Sequence, residues 1–583
     1  MTEPAQERQP PPIAVSGALP PLPPPARRRT AAPRPKGAQD PSDRSGGGHL
    51  KSGRALFMLA CVSACFLALA GQLVRLALDA QDEVSFARAA PLGQTFARPD
   101  IIDRQGRLLA TDLAFHSLFA DPAKIIDVDV VVEKLAGVLD GLDQRALRES
   151  LADRSRRFAW IRRGLSPALA QQVHDLGLPG LGFRRELRRA YPMGRLAGHV
   201  IGTVNVDNKG QSGLERHIDE ALGVEPILGL SGPERPPVTM TLDVGVQHAL
   251  ADELAQAMQH YRAAGAAGVV MDASTGAVLA AASLPDVAPS HPVELLEEAR
   301  LNRLAMGAYE LGSIFKPLTI AMVLDSGQVR LDTRLDVRQP LAAGSHTITD
   351  PHPAGRPLSV AEIFLRSSNV GTGMLAQRAG VEAHRAFLDR MGLLATLDTQ
   401  IGRLAAPIVP EPWGAGETTT ISYGHGLAVA PLQFAAAAAA LVNGGWRVEP
   451  RFILEDTPSG KARQRLVKPQ TSARIRDLFR LNVSHPSGTG KRADVPGYDV
   501  GGKTGTAEMP RAGGYDENAV ISSFIAAFPM REPRFVTLVL LFEPKPTPAS
   551  GNKISAGLNA APTTAAIVRR IAPLLGLLPQ ASE

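Results

Sequence analysis

The pattern of hydrophobic and polar positions sets one stretch near the N-terminus apart from the rest of the chain. Residues 55–74, ALFMLACVSACFLALAGQLV, run for twenty positions without a charged side chain. A helix of this length rises about 30 Å, which matches the hydrocarbon core of a membrane. The pattern therefore predicts one transmembrane anchor helix over residues 55–75.

The charges that flank this apolar run predict its orientation. Arg44, Lys51 and Arg54 precede it. Arg75 follows it directly, and the acidic Asp79, Asp82 and Glu83 come next, so the basic excess lies on the N-terminal side. Because basic residues collect on the cytoplasmic side of a membrane segment, we expect a cytoplasmic N-terminus and an exported remainder.

Residues 1–54 predict a disordered cytoplasmic tail, since they are rich in proline, arginine and glycine and hold few large apolar side chains. A cleaved signal peptide is the alternative to the anchor, because Ala68-Leu69-Ala70 resembles a cleavage site. The long leading region and the twenty-residue apolar run both favour an uncleaved anchor.

The exported part divides near residues 225–238, where EPILGLSGPERPPV supplies prolines and glycines without helical periodicity. We assign residues 76–235, which mix short strands and helices, to one domain and residues 236–583 to a second.

Predicted strands lie at both ends of the second domain. Residues 266–283 read as two strands around a Ser-Thr-Gly turn, and residues 518–529 and 534–544 read as two more. Helical stretches such as residues 431–445 lie between them, and residues 559–578 predict a terminal helix. This order predicts a mixed α/β fold in which one sheet is built from both ends of the domain around a helical insert.

Charge and cysteine content narrow the possible functions. The chain carries a formal charge of +6, but residues 1–54 hold nine Lys or Arg and four Asp or Glu, so the rest is close to neutral. Nucleic-acid binding by the folded part is therefore not expected. Both cysteines, Cys61 and Cys65, lie in the apolar run, which excludes disulfides and thiolate metal sites from the exported domains.

A candidate nucleophile lies in the segment GSIFKP. Proline is tolerated in a helix only within its first turn, so Pro317 predicts a helix that begins at about Ser313. The hydroxyl of Ser313 would then lie at the positive end of the helix, with Lys316 on the same face. A lysine within hydrogen-bond reach can accept the serine proton if burial or a nearby cation lowers its pKa.

A second Ser-x-x-Lys, Ser550 to Lys553, lacks this context. It lies in PKPTPASGNKIS, a loop rich in proline and glycine, with no helix for the two side chains to share. We interpret it as a chance match.

Two further segments follow Ser313 in order. FLRSSNVG contains Ser367 and Asn369, and VGGKTGTAE contains a Lys-Thr-Gly that begins at Lys503, where two preceding glycines permit a ligand to approach a strand edge. Each motif alone is usually a turn, a cap or a strand end. Together they form the Ser-x-x-Lys, Ser-x-Asn, Lys-Thr-Gly set of penicillin-binding proteins and serine β-lactamases.

The chain resembles a class B penicillin-binding protein over roughly residues 95–575. RPDIIDRQGRLLA (98–110), RAYPMGRLAGHVIGTV (189–204) and GQSGLE (210–215) are similar to boxes of the family's non-catalytic pedestal, or dimerisation-type domain, although Pro99 stands where glycine is usual. The resemblance implies a penicillin-binding transpeptidase fold, with an antiparallel sheet flanked by helices and a helical subdomain, after an α+β pedestal and one transmembrane helix.

The resemblance also implies roles for the first two motifs. Ser313 would attack the penultimate D-Ala carbonyl of a peptidoglycan stem peptide that ends in D-Ala-D-Ala. Lys316 would act as the base, Ser367 would relay a proton to the leaving group, and Asn369 would orient the donor peptide and the lysine.

The third motif would bind the terminal carboxylate of the stem peptide through Lys503, Thr504 and Thr506, with Gly505 giving access. The backbone N–H groups of Ser313 and Thr506 would form the oxyanion hole. β-Lactam antibiotics would acylate the same serine, and no metal or cofactor is needed.

SYGHGLAVAPLQFAAAAAALVNGG (422–445) looks most like the septal, FtsI-type branch, with an elongation-type enzyme as the alternative. The resemblance implies a periplasmic catalytic domain at the bacterial inner membrane, with an FtsW-type glycosyltransferase and other division proteins as partners. His425 and His199 are interpreted as structural. A β-lactamase or carboxypeptidase and a penicillin sensor or inactive scaffold are the other hypotheses. A bifunctional class A enzyme is disfavoured because the segment between the predicted anchor and the transpeptidase region, residues 76–235, is too short for a glycosyltransferase domain as well.

Overall fold

The computed structural model describes residues 98–222, 235–344, 346–454, 464–511 and 514–580, together with five isolated helical residues between positions 63 and 72. The predicted tail (1–54) and nearly all of the predicted anchor (55–75) lie outside the described residues. Within the described part of the chain, no helix is both long and apolar enough to cross a membrane.

Fourteen α-helices lie within the described ranges from residue 98 onward. They are α1 (Val128–Ala136), α2 (Gln144–Ala152), α3 (Pro167–Asp175), α4 (Gly198–Ile201), α5 (Gly213–Leu222), α6 (Val244–His260), α7 (Lys316–Asp325), α8 (Val360–Arg366), α9 (Asn369–Ala379), α10 (Val381–Arg390), α11 (Ala415–Ile421), α12 (Pro431–Val442), α13 (Pro469–Ser484) and α14 (Ala560–Leu574).

Sixteen strands lie in the same ranges. They are β1 (Ile101–Ile102), β2 (Leu108–Ala120), β3 (Ala159–Leu165), β4 (Leu181–Ala190), β5 (Val238–Thr239), β6 (Gly265–Asp272), β7 (Val278–Leu284), β8 (Arg334–Leu335), β9 (Leu341–Ala343), β10 (His346–Ile348), β11 (Leu358–Ser359), β12 (Asp398–Thr399), β13 (Gly402–Arg403), β14 (Gly501–Arg511), β15 (Gly514–Phe528) and β16 (Phe535–Phe542).

The N-terminal sheet is centred on the long strand β2. This strand pairs with β1, β3 and β4 in antiparallel fashion, and β5 adds in parallel to β1 through Ile101 and Val238. The short helices α1 to α3 bury apolar side chains such as Val132, Leu151 and Val173 in the core of this domain. The result is a small α+β domain whose sheet takes its last strand from the chain that enters the second domain.

The second sheet is antiparallel, with the strand order β14–β15–β16–β6–β7. Strands from the two ends of the domain meet where Phe535 pairs with Asp272 and Phe542 pairs with Gly265. The sheet is therefore built from both ends of the domain around an insert, as the sequence predicts. β14, which carries the Lys-Thr-Gly motif, is an edge strand.

Alternating side chains of this sheet enter two cores. Val270 and Val539 pack with helices α6 and α14 on one face, whereas Val269, Met271 and Leu538 join the larger core with α7, α12 and α13 on the other. α12 is buried along its whole length, which suits its run of six alanines, because small side chains let neighbouring elements approach closely.

The start of the helix after Ser313 differs from the prediction. Ser313 lies in a 3-10 turn, Gly312–Phe315, and α7 begins three residues later, at Lys316. Pro317 does fall in the first turn of α7, where a missing N–H costs nothing. The proline therefore fixes the first turn correctly, but the residues before it form the tighter turn and the hydroxyl lies just ahead of the α-helix.

Candidate active site

The turn that carries Ser313 packs directly against the edge strand β14. Gly312 has φ +57°, and a Cβ there would lie 2.5 Å from the carbonyl oxygen of Thr506. The N–H of Gly312 donates to the carbonyl of Gly424, 3.2 Å away, in the glycine-bracketed loop before α12. Ser313 itself is half-buried and lines a cleft. Backbone contacts on two sides thus fix the position of this serine.

Lys316 is fully buried beneath Ser313. Its Nζ donates to Asn369 Oδ1 at 2.7 Å, to Ser367 Oγ at 3.1 Å and to the carbonyl oxygen of Ser367. Burial lowers the pKa of Lys316 well below its usual value, the charge of Lys503 lowers it further, and the Asp350 carboxylate acts in the opposite direction. The environment therefore favours the neutral amine that a general base requires.

The expected hydrogen bond between the Ser313 hydroxyl and the Lys316 amine is not formed. In the described part of the chain, no hydrogen bond joins Ser313 Oγ to Lys316 Nζ, which instead contacts the hydroxyl and carbonyl oxygens of Ser367 and Asn369 Oδ1. A neutral Lys316 has two hydrogens and one lone pair, so its deprotonation creates the acceptor that Ser313 needs.

Ser367 adopts a strained backbone conformation that the sequence does not predict. It ends α8 in the left-handed region, with φ 57° and ψ 41°. Such conformations are uncommon outside glycine and asparagine and concentrate at functional sites. Here the conformation turns the chain between α8 and α9 so that the Ser367 hydroxyl contacts both Lys316 and Lys503.

Asp350 is a site residue that sequence reasoning missed. Its Oδ1 accepts the N–H groups of Asn369 (2.5 Å) and Val370 (3.1 Å), and its Oδ2 accepts the hydroxyl of Ser368 at 2.6 Å. The carboxylate thus satisfies the first turn of α9 at its positive end and fixes the backbone beside Asn369. The local sequence TITDPHP reads as an ordinary turn and gave no signal of this role.

Lys503 is also fully buried, on the edge strand β14. Its Nζ donates to Ser367 Oγ at 3.0 Å and to the Thr504 carbonyl at 3.1 Å. Burial lowers the pKa of Lys503 to about 7. Thr504 donates its hydroxyl to Thr489 at 2.7 Å, and Thr506 is exposed at the cleft.

The protein's own packing also requires the glycines of the third motif. A Cβ on Gly505 would lie 2.5 Å from Ser523 Oγ and 2.7 Å from the Leu311 carbonyl, so glycine is needed there for close contact with the nucleophile turn. Gly505 also lines the cleft. Gly501 and Gly502 are closed in by Met530 and Ile525 in the same way.

The three motifs meet at one cleft of 580 Å³. Its lining includes all the site residues predicted from the sequence except the two buried lysines: Ser313, Ser367, Asn369, Thr504, Gly505 and Thr506. The lysines lie beneath that surface and contact its hydroxyls. Pockets of roughly 300–1,000 Å³ hold drug-sized ligands, so this cleft has room for a short peptide.

The two histidines considered from the sequence lie in different places. His425 lines the cleft among Tyr423 and Tyr515, at ring-centroid distances of 5.6 and 5.9 Å. His199 is buried away from that cleft, 3.7 Å from Asp286, and burial lowers its pKa to about 4. Neither histidine has a hydrogen bond to Ser313 in the described part of the chain.

The second Ser-x-x-Lys lies outside the cleft lining. Ser550 Oγ exchanges hydrogen bonds of 3.1 Å with the backbone of Thr547 in a short 3-10 turn, and Lys553 is exposed. The serine is therefore a turn cap. The sequence predicted a loop here and did not predict the 3-10 turn Pro548–Ser550.

Comparisons with known proteins agree with this site. The family described as "Penicillin binding protein transpeptidase domain" matches residues 266–568, and "Penicillin-binding Protein dimerisation domain" matches residues 94–235. The chain therefore belongs to the penicillin-binding protein transpeptidase family.

Curated relatives and solved structures extend over most of the chain. "Probable peptidoglycan D,D-transpeptidase FtsI" of Caulobacter vibrioides is 37% identical, covering 82% of this chain and 82% of that protein. "Probable peptidoglycan D,D-transpeptidase PenA" of Neisseria meningitidis is 33% identical over 85% and 88% of the two chains. The crystal structure of penicillin-binding protein 2X from Streptococcus thermophilus is similar in fold, with a TM-score of 0.66 at 21% identity, covering 82% of this chain and 80% of that one.

Proposed function

We propose that this protein is a peptidoglycan D,D-transpeptidase that cross-links stem peptides through an acyl-enzyme on Ser313. The observation that carries the proposal is the meeting of Ser313, two buried lysines and the Ser367 hydroxyl at one cleft. The names of the Caulobacter and Neisseria relatives support the same activity.

In the acylation step, neutral Lys316 takes the proton of Ser313 Oγ while that oxygen attacks the penultimate D-Ala carbonyl. The C–O bond forms, the C–N bond to the terminal D-Ala breaks, and the amine leaves with a proton relayed through Ser367. The backbone N–H groups of Ser313 and Thr506 stabilise the oxyanion. An acceptor amine then displaces Ser313 and completes the new amide bond.

Lys503, Thr504 and Thr506 bind the terminal carboxylate of the donor in this proposal. A charged Lys503 is the electrostatic partner of that carboxylate, and Thr506 lies exposed at the cleft. Because β-lactams carry a comparable carboxylate and acyl group, we expect them to acylate Ser313.

We further propose that the protein acts in septal wall synthesis, anchored by residues 55–75 in the bacterial inner membrane with a cytoplasmic tail and a periplasmic catalytic domain. The FtsI names of the Caulobacter relative and of the 28% identical Escherichia coli protein support this role. Under it, an FtsW-type glycosyltransferase and other division proteins are the partners. An elongation-type role is the alternative.

The activity is tested with the full-length protein, a synthetic donor peptide that ends in D-Ala-D-Ala, and an amine acceptor. We expect stoichiometric release of D-Ala and formation of the donor–acceptor amide, both abolished in Ser313→Ala. Release of D-Ala with hydrolysis as the only outcome would identify a carboxypeptidase. For the septal role, depletion should give filaments with a block in division, whereas rounding of the cells would indicate the elongation role.

A further inference from the structure

The cleft extends beyond the three motifs, and its remaining wall carries a concentration of positive charge. Arg366, Lys491 and Arg492 all line the cleft, and all three are exposed. None of them has a role in the acylation chemistry described above. Because they line the same cleft as the reacting groups, we expect them to contact part of the substrate.

These cations flank the reacting groups on two sides. Arg366 is the last residue of α8 and directly precedes Ser367. Lys491 and Arg492 lie in the 3-10 turn Lys491–Ala493, just after Thr489, whose hydroxyl accepts the hydrogen bond from Thr504. The second and the third motif are therefore each extended by positive charge along the cleft wall.

The described part of the chain supplies no counter-charge for these three cations. Within the described residues, none of the three cations has an ion-pair or hydrogen-bond partner, and Asp350 is the one acid among the residues that line the cleft. Its carboxylate is already engaged by the N–H groups of Asn369 and Val370 and by the hydroxyl of Ser368. The wall is thus a cationic surface in a cavity large enough for several residues of a peptide.

We propose that Arg366, Lys491 and Arg492 form a subsite for a carboxylate that the donor peptide carries upstream of its terminal D-Ala-D-Ala. The inference rests on the proposed transpeptidase function. The terminal carboxylate belongs to Lys503 and its neighbouring hydroxyls, so the three wall cations are available for a second one. Exposed cations act chiefly by attracting and orienting an anionic partner, an effect that salt weakens.

The test uses two acyl-D-alanyl thioester donors that differ at one position. One carries a free side-chain carboxylate two residues before the terminus, and the other carries the amide of that group. In the full-length protein at low ionic strength, we expect kcat/KM for the carboxylate donor to exceed that for the amide donor by about tenfold. Replacing all three cations with glutamine should remove this preference, and 0.5 M salt should reduce it.

A matched control is Arg474→Gln, an exposed arginine of α13 that does not line the cleft. It should leave the carboxylate preference unchanged. Equal rates with the two donors in the unmodified protein, or a preference that survives in the triple variant, would overturn the proposal.

Acylation of Ser313 by a penicillin without a side-chain carboxylate separates this proposal from the proposed function. If the penicillin acylates the triple variant normally while the donor preference disappears, both ideas stand. If it acylates the unmodified protein but the two donors react equally, only the carboxylate subsite fails. If no acylation occurs at all, the proposed function fails, and the subsite proposal falls with it.

Discussion

The ammonium nitrogen of Lys503 lies 3.0 Å from the hydroxyl oxygen of Ser367, although 136 residues separate them in the chain. The same oxygen lies 3.1 Å from the Nζ of Lys316. Two buried positive charges are costly around one hydroxyl, so a charged Lys503 favours a neutral Lys316. The charge of Lys503 thereby lowers the pKa of Lys316, which helps Lys316 to act as a base. The same charge remains available to the carboxylate of the substrate.

The first prediction concerns pH. Lys503 is charged below its pKa of about 7 and neutral above it, so kcat/KM for acylation should fall as the pH rises through about 7, because the free enzyme loses the partner of the carboxylate. Lys503→Arg keeps its charge at all accessible pH values. This variant should lose the alkaline limb of the profile, even if its absolute rate is lower. The same limb in both proteins would contradict the assignment.

The second prediction concerns Asp350 as a positioning residue. Asp350→Asn removes the negative charge that supports protonated Lys316, so the acidic limb of the acylation profile should shift to lower pH. Asp350→Ala also removes the acceptor of two N–H groups of α9 and should slow acylation by roughly ten- to a hundredfold. Asp336→Ala, at an exposed acid paired with Arg338, is the control. If Asp350 had a purely structural role, its variants would lower the free energy of unfolding without shifting the acidic limb of the acylation profile.

The third prediction concerns Gly505. Alanine there would push the edge strand away from the Leu311 carbonyl and from Ser523, moving the nucleophile turn. We expect loss of about 1–3 kcal/mol of unfolding free energy and about a hundredfold slower acylation, measured by chemical unfolding and by penicillin labelling. Gly137→Ala, where a Cβ meets nothing closer than 3.5 Å, should change neither. Normal labelling of Gly505→Ala would show that the turn tolerates the displacement.

The fourth prediction concerns the contact of Asp286 with the N-terminal domain. Its Oδ1 lies 3.7 Å from Nε2 of His199, and burial raises its pKa to about 7. A carboxyl group whose pKa is higher in the folded state stabilises at low pH and loses that contribution as the pH rises through about 7.

Asp286→Asn should therefore raise the Tm at pH 8.5 by at least about 1 °C, the shift that ~1 kcal/mol gives in a domain of roughly 350 residues, and have little effect at pH 4. Thermal unfolding at the two pH values checks this. An equal effect at both would contradict a buried, titrating carboxyl group.

Local patterns predicted the elements whose residues are neighbours in sequence or repeat regularly. The strand pair β6 and β7, the terminal helix α14 and the placement of Lys503 on a strand edge were all accessible in this way. The family resemblance then assembled the three motifs into one site.

What the sequence could not predict depends on distant parts of the chain meeting. In the sequence Asp350 resembles an ordinary loop residue, because its contact with the first turn of α9 forms only in the folded chain. The left-handed backbone of Ser367 could not be predicted because such conformations are usually signalled by glycine. The packing role of Gly505 could not be predicted because the Leu311 carbonyl, nearly two hundred residues earlier in the chain, meets it only in the folded protein. The predicted start of α7 was three residues too early because Pro317 is compatible with an α-helix that begins at Ser313 and with one that follows a 3-10 turn.

Intact-protein mass spectrometry with a fluorescent penicillin would show whether Ser313 is the nucleophile of this cleft. We expect one long-lived adduct on the unmodified protein and on Ser550→Ala, and none on Ser313→Ala. An adduct that persists in Ser313→Ala, or a folded unmodified protein that forms none, would contradict the claim.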